Sequence, residues 1–167
     1  MNLLYPLFLA AMFCLPAHAA DIVAQPFPPA KFTSLFIEKD EKGISTTIQA
    51  AGDSVIYKVT QGGKVIENVT AQPSGDDWFQ FVQGLNQAKV YKWADKYWFP
   101  GQGTTWVIDI AMDDRKFSSE GSNEFPKEGD EAQPQANAAS GPGVPFQLFW
   151  QAALKLVGKG LTPAAPK

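Results

Sequence analysis

Apolar residues fall on alternate positions through most of the first half of the chain, then switch to a spacing of three and four. Alternation is the mark of a half-buried strand, and the longer period that of an amphipathic helix. Residues 32–38 alternate loosely, and Glu41-Lys42-Gly43 forms a turn before a second strand at 44–50. Strands at 53–60 and 64–71 place Val55, Tyr57 and Val59, then Val65, Glu67 and Val69, on one parity, so one face of each is mostly apolar. Gln61-Gly62-Gly63 separates them, and two glycines supply the positive φ angles of a tight hairpin.

A helix follows. Ser74 is its expected N-cap, Asp77 stands at the third helical position, and Asp76 and Asp77 face the positive helix end. Trp78, Phe81, Val82, Leu85 and Ala88 form the apolar stripe, slightly weakened by Gly84. Strand alternation returns at 104–111, with Trp106, Ile108 and Ile110 on one side. Residues 112–115 turn the chain, 116–120 return it, and Gly121-Ser122-Asn123 ends the strand. A second helix is expected after Pro145, with Phe146, Phe149, Trp150, Ala153, Leu154 and Val157 on its apolar face and Gly158 and Gly160 as its stop. The order of strands, helix, hairpin and helix predicts an α+β fold: a single domain with a mostly antiparallel sheet packed by two amphipathic helices.

Other segments fit neither period. Residues 3–15 are an apolar run of signal-peptide length, followed by Ala17-His18-Ala19, with cleavage expected between Ala19 and Ala20. The reading is thus a signal peptide at 1–19, a proline-rich arm at 20–31 (Pro26, Pro28, Pro29), a domain at 32–160 and a disordered tail at 161–167. Residues 127–143 contain no aromatic or branched aliphatic side chain and read as a flexible surface insertion. The product is expected in a bacterial periplasm or secreted, with no membrane anchor after cleavage.

Composition narrows the chemistry. Hydrophobic residues at 45% and aromatics at 13% suit a globular chain. The net charge of −3 is scattered, without the basic stripe of a nucleic-acid binder. The single histidine, His18, and the single cysteine, Cys14, both lie in the leader. The mature chain would therefore lack the commonest general base, the commonest zinc ligands, a reactive thiol and any disulfide. No phosphate-binding glycine loop occurs, no S-x-x-K motif occurs in the mature part, and no cofactor is implied.

Two segments and one acidic group are candidates for function. Tyr91, Trp93, Tyr97, Trp98 and Phe99 are the densest aromatic cluster. Exposed, their rings would stack on sugars or anchor a protein; buried, Trp93 and Tyr97 would close the core over the Trp78 helix. Trp98-Phe99-Pro100-Gly101 is the part expected at the surface. In Gly121-Ser122-Asn123-Glu124-Phe125-Pro126, Ser122 and Asn123 would hold a ligand's polar groups, or else make a turn in which Asn123 bonds its own backbone and Gly121 takes an unusual φ. Asp109, Asp113, Asp114 and Glu120 surround one hairpin, where two carboxylates would serve a glycosidase or oxygen ligands a calcium ion; their setting beside Arg115 and Lys116 is that of a solvated turn.

The succession Pro73-Ser74, Trp78-x-x-Phe81, Leu85, Trp93, Tyr97, Gly103-Thr104-x-Trp106-x-Ile108-x-Ile110 and Gly121-Ser122-Asn123-x-x-Pro126, closed by an aromatic helix, resembles a set of small uncharacterised bacterial proteins, often exported. The resemblance covers about residues 73–156. It implies one domain and one coherent fold, and it carries no catalytic residue; the insertion after Pro126 departs from it. Leader, aromatic richness and missing catalytic side chains together lead to the expectation of an exported, non-enzymatic binding module for a protein or an envelope polymer such as a glycan. A carboxylate-dependent enzyme acting on polysaccharide, with Asp109 and Glu120 as its pair, is the alternative. A structural domain of an envelope assembly is the third reading.

Overall fold

The computed structural model describes residues 31–38, 43–112, 115–128 and 141–159. The expected cleavage site at Ala19 and Ala20, the proline-rich arm up to residue 30, Asp113 and Asp114, residues 129–140 of the insertion and the tail lie outside the described residues. Within them the chain is a single α+β domain: one seven-stranded sheet and two helices. Strands β1 (Lys31–Glu38), β2 (Ile44–Ala51), β3 (Ser54–Gln61) and β4 (Lys64–Ala71) run as an antiparallel meander. Helix α1 (Gly75–Gln87) and a 3-10 turn (Val90–Lys92) lead to β5 (Lys96–Trp98), β6 (Thr104–Met112), β7 (Arg115–Ser122) and helix α2 (Val144–Lys155). The spatial order is β4-β3-β2-β1-β6-β7-β5. All pairs are antiparallel except β5 with β7.

Local chemistry explains the elements. Gly62 and Gly63 both have positive φ, 55° and 77°, at the tight β3–β4 turn. Ser74 and Asp77 form a capping box: the Ser74 hydroxyl accepts from the Asp77 N–H at 3.2 Å, and the Asp77 carboxylate accepts from the Ser74 N–H at 2.8 Å. The Ser74 hydroxyl, and then its N–H, hold the Asp77 carboxyl below the usual carboxylate range. Pro145 sits in the first turn of α2, where its missing N–H costs nothing.

Both helices cover the same sheet face. Phe32 of β1 meets Phe81 of α1 at 4.8 Å and Phe149 of α2 at 6.5 Å between ring centroids. Ile48, Val55, Trp106, Ile108 and Ile110 complete that face from the neighbouring strands. Gly84 is needed where the helices cross, because a Cβ there would overlap the Ala152 methyl. Glu67 is a carboxylate on the helix-facing side, and the Lys159 ammonium pairs with it while lying 4.5 Å from the Tyr57 ring centroid.

Four details depart from the sequence pattern. Val65 does not join the apolar face: a bulge shifts the β3–β4 register between Val59 and Thr60, leaving Val65 and Ile66 both 57% exposed. The aromatic connector holds a strand, β5, only three residues long and so without a visible alternation. Strand β7 runs to Ser122, beyond the expected end at residue 120, because β5 pairs with that extension. Gly121 owes its identity to packing rather than to an unusual φ, since a Cβ would overlap the Trp106 indole.

Candidate functional site

The short parallel strand β5 divides the aromatic cluster between the two sides of the sheet. Successive side chains on a strand point to opposite faces. Tyr97 accordingly turns inward, is 2% exposed, and packs 5.7 Å from Trp106 between centroids. Its hydroxyl accepts the Ala94 N–H at 3.1 Å. Trp98 turns outward and is 67% exposed. Trp93 is half-buried: it stacks on Phe146 at 6.0 Å and 19°, and its indole N–H donates to the Ala88 carbonyl at 2.9 Å. Trp93 thus lies at the C-terminal end of the Trp78 helix, with its ring against Phe146 and Phe149 of α2 and against Trp106. Tyr91 is exposed and Phe99 half-buried.

On the outer face the register builds a small grid. Trp98 pairs with Ser122, which pairs with Thr105; Lys96 pairs with Glu120, which pairs with Val107. Strands lie about 5 Å apart and residues two apart on a strand about 7 Å, so these six side chains make a patch of roughly 10 by 7 Å. They line a shallow groove of ≈ 350 Å³. The Glu120 carboxylate is held by the Lys96 ammonium at 3.0 Å. One wall is thus an exposed indole, and the others offer two hydroxyls, an ion pair and an isopropyl group.

Asn123 does not line this groove. It is buried with a φ of 58°, and its side-chain amide donates to the Phe99 carbonyl at 3.2 Å and the Gly101 carbonyl at 2.9 Å. These bonds go to the crossover loop at 99–103 and not to its own backbone, as a simple turn would have required. Its backbone N–H donates to the Thr104 carbonyl at 2.8 Å. Asn123 therefore positions the loop that follows Trp98. Of the residues proposed from sequence, the structure brings Trp98 and Ser122 together, leaves Trp93 and Tyr97 on the helix side, and gives Asn123 a supporting place.

The acidic candidates separate as well. Asp109 pairs with Ser118 in register, one row beyond Glu120 and Val107 on the same outer face. This diagonal separates the two backbone positions by about 7–8 Å, the Glu120 carboxylate is engaged by Lys96, and Asp109 is not among the groove-lining residues. Among the described residues no group of three or more His, Cys, Asp or Glu could hold a metal ion. None of the described helices is long and apolar enough to cross a membrane.

Sequence reasoning missed Glu124 and the lysines on the helix side. Glu124 is 1% exposed; its backbone carbonyl accepts the Trp106 indole N–H at 2.8 Å, and its Oε1 accepts Lys127 at 2.7 Å. Its Oε2 has no hydrogen-bond partner among the described residues. No periodic signal could have marked this carboxylate, because it follows a strand end in irregular backbone. Searches among known proteins returned no match, either to a family model or to a curated sequence.

Proposed function

We propose that the protein is an exported binding module that takes an envelope polysaccharide on the outer sheet face, with Trp98 as the stacking platform. The observation that carries this reading is the pairing of a two-thirds-exposed indole with hydroxyls of Ser122 and Thr105 and the Lys96–Glu120 ion pair in one groove. A sugar ring presents an apolar C–H face to an aromatic plane and hydroxyls around its rim. A flat grid with one indole and several short polar groups matches that division better than it matches a protein hot spot, which would want a deep, desolvated pocket. Export from the leader supports placing the module where such polymers are found.

The test is retention of the purified chain on insoluble peptidoglycan and on immobilised polysaccharides, read beside the Trp98→Ala variant. The reading expects retention by at least one polymer and a loss of about tenfold or more in affinity on removing the indole, with an unchanged thermal midpoint because the ring packs on little else. Failure of every polymer to retain the protein, or equal retention of the variant, overturns it. Release of new reducing ends from a retained polymer would instead favour the alternative of a carboxylate-dependent hydrolase.

A further inference from the structure

Strand β7 is longer than the strand on its outer side. It pairs with β6 along its whole length, whereas β5 covers only Glu120 to Ser122. Residues 115–119 therefore have no strand beside their outer edge among the described residues. The Glu120 N–H donates to the Asp95 carbonyl and the Ser122 carbonyl accepts the Phe99 N–H, both at 2.9 Å. Even-numbered residues of β7 thus direct their backbone groups outward, and by strand alternation Lys116 and Ser118 do the same. An edge of this kind is a template for another strand.

Under the open edge, on the helix side of the sheet, lies a cavity of ≈ 100 Å³ whose lining includes Tyr91, Trp93, Ile108, Phe117 and Ser119. Phe117 packs against the core, and Tyr91 is 53% exposed. Facing residues of paired strands share a sheet face, so the residue opposite Phe117 on an added strand would enter this cavity. An open edge with one apolar pocket is how a sheet accepts a further strand: backbone bonds hold it, and the pocket selects a side chain.

The chain itself carries a segment that reaches this edge. Strand β1 starts at Lys31, which pairs with Ala111, which in turn pairs with Lys116. The residues that precede β1 therefore arrive at the end of the sheet where β7 begins. A strand beyond β7 would stand three spacings from β1, about 14 Å at about 4.8 Å each. The six steps from Gln25 to Lys31 cover about 19 Å at about 3.1 Å per residue. Pro26, Pro28 and Pro29 all fall within that crossing, where no ladder donor is needed. Ile22-Val23-Ala24-Gln25, just before it, contains no proline and two β-branched side chains.

We infer that residues 22–25 add an eighth strand to the sheet, antiparallel to β7 and end to end with β5. Ile22 then opposes Ser118, Val23 opposes Phe117, Ala24 opposes Lys116 and Gln25 opposes Arg115. This register uses every residue up to Pro26. Val23 enters the cavity between Phe117 and Tyr91, while Ile22 and Ala24 lie on the outer face. The added strand closes an edge that would otherwise be open to a second copy of the chain. None of this depends on a ligand at Trp98.

The test uses the chain beginning at Ala20, the expected product of cleavage, which lacks Cys14. The double variant Ile22→Cys/Ser118→Cys should form an intramolecular disulfide under mild oxidation in dilute solution, because facing Cα atoms lie about 5.5 Å apart. Val23→Cys/Ser118→Cys, with its side chains on opposite faces, should cross-link about tenfold more slowly or worse. Hydrogen exchange gives a second reading that needs no cysteine. The Lys116 and Ser118 amides should be protected, and Val23→Asp should speed their exchange about tenfold or more. Ile22→Asp, which faces outward, should leave most of that protection in place. Equal cross-linking of the two cysteine pairs, or unprotected Lys116 and Ser118 amides, overturns the assignment. A cross-linked dimer overturns it too, since the edge would then be filled by the arm of a second copy.

Discussion

Asn123 carries more of the architecture than its size suggests. The crossover from β5 to β6 must climb over the end of β7, and the carbonyls of Phe99 and Gly101 would otherwise be left to water. Asn is also one of the few residues that accepts a φ near 58° at modest cost. Both needs meet in one side chain, and Gly103 supplies the room, since a Cβ there would overlap the Asn123 amide. Asn123→Ala should cost about 2 kcal/mol of stability, roughly 1 kcal/mol for each lost hydrogen bond, measured by urea denaturation. Asn123→Gly should cost less than Asn123→Ala, because glycine removes the backbone strain but not the lost bonds. Equal costs for the two variants would show that backbone conformation contributes nothing. At this scale the sequence was partly legible: Asn123 stands out as a turn-former, but its partners, 22 and 24 residues earlier in the chain, do not.

Element boundaries follow the local rules closely where those rules act on neighbours in sequence. The α1 start is legible because a serine followed three residues later by an aspartate, ahead of an apolar stripe, can satisfy the orphan donors of a helix end. The Asp77 carboxyl is depressed by its bonds from Ser74, so its share of stability is present above its unfolded value near 4 and is lost as pH falls through the lower folded value. Asp77→Ala should therefore lower stability by at most about 1 kcal/mol at neutral pH, the exposed position keeping the effect small. The gap to the unaltered chain should close as the carboxylate is protonated below about pH 4. Thermal melts at neutral and acid pH check this; a gap that stays constant contradicts it. Strand β5 was illegible for the opposite reason. Three residues cannot display a period, and β5 exists only because β7 offers it an edge. The bulge that turns Val65 outward likewise depends on the partner strand and leaves no mark in the order of residues.

For the whole molecule, the consequence is a two-sided sheet with different chemistry on each face. The helix side buries nine aromatic rings in one cluster. Among the described residues the outer side exposes large apolar side chains at Trp98, Val107 and Val65. The α+β architecture was readable from the succession of periods, because each strand and helix buries one face and the two helices need a common sheet to bury theirs on. The candidate site was only partly readable: Trp98 was expected at the surface, but the parity of β5 that turns Tyr97 inward and Trp98 outward has no visible period in three residues. Sequence spacing put Ser122 and Trp98 far apart; the parallel pairing of β5 with β7 makes them neighbours. The central claim is that this outer grid receives the ligand. Its most direct measurement is a residue-resolved NMR titration of the chain with a polysaccharide that retains it, following backbone amides and the five indole N–H signals. The account predicts shifts at the Trp98 indole and the amides of Thr105, Val107 and Ser122, with the Trp93 indole, which does not line the groove, unmoved. Shifts confined to the helix side, with Trp98 silent, would contradict it.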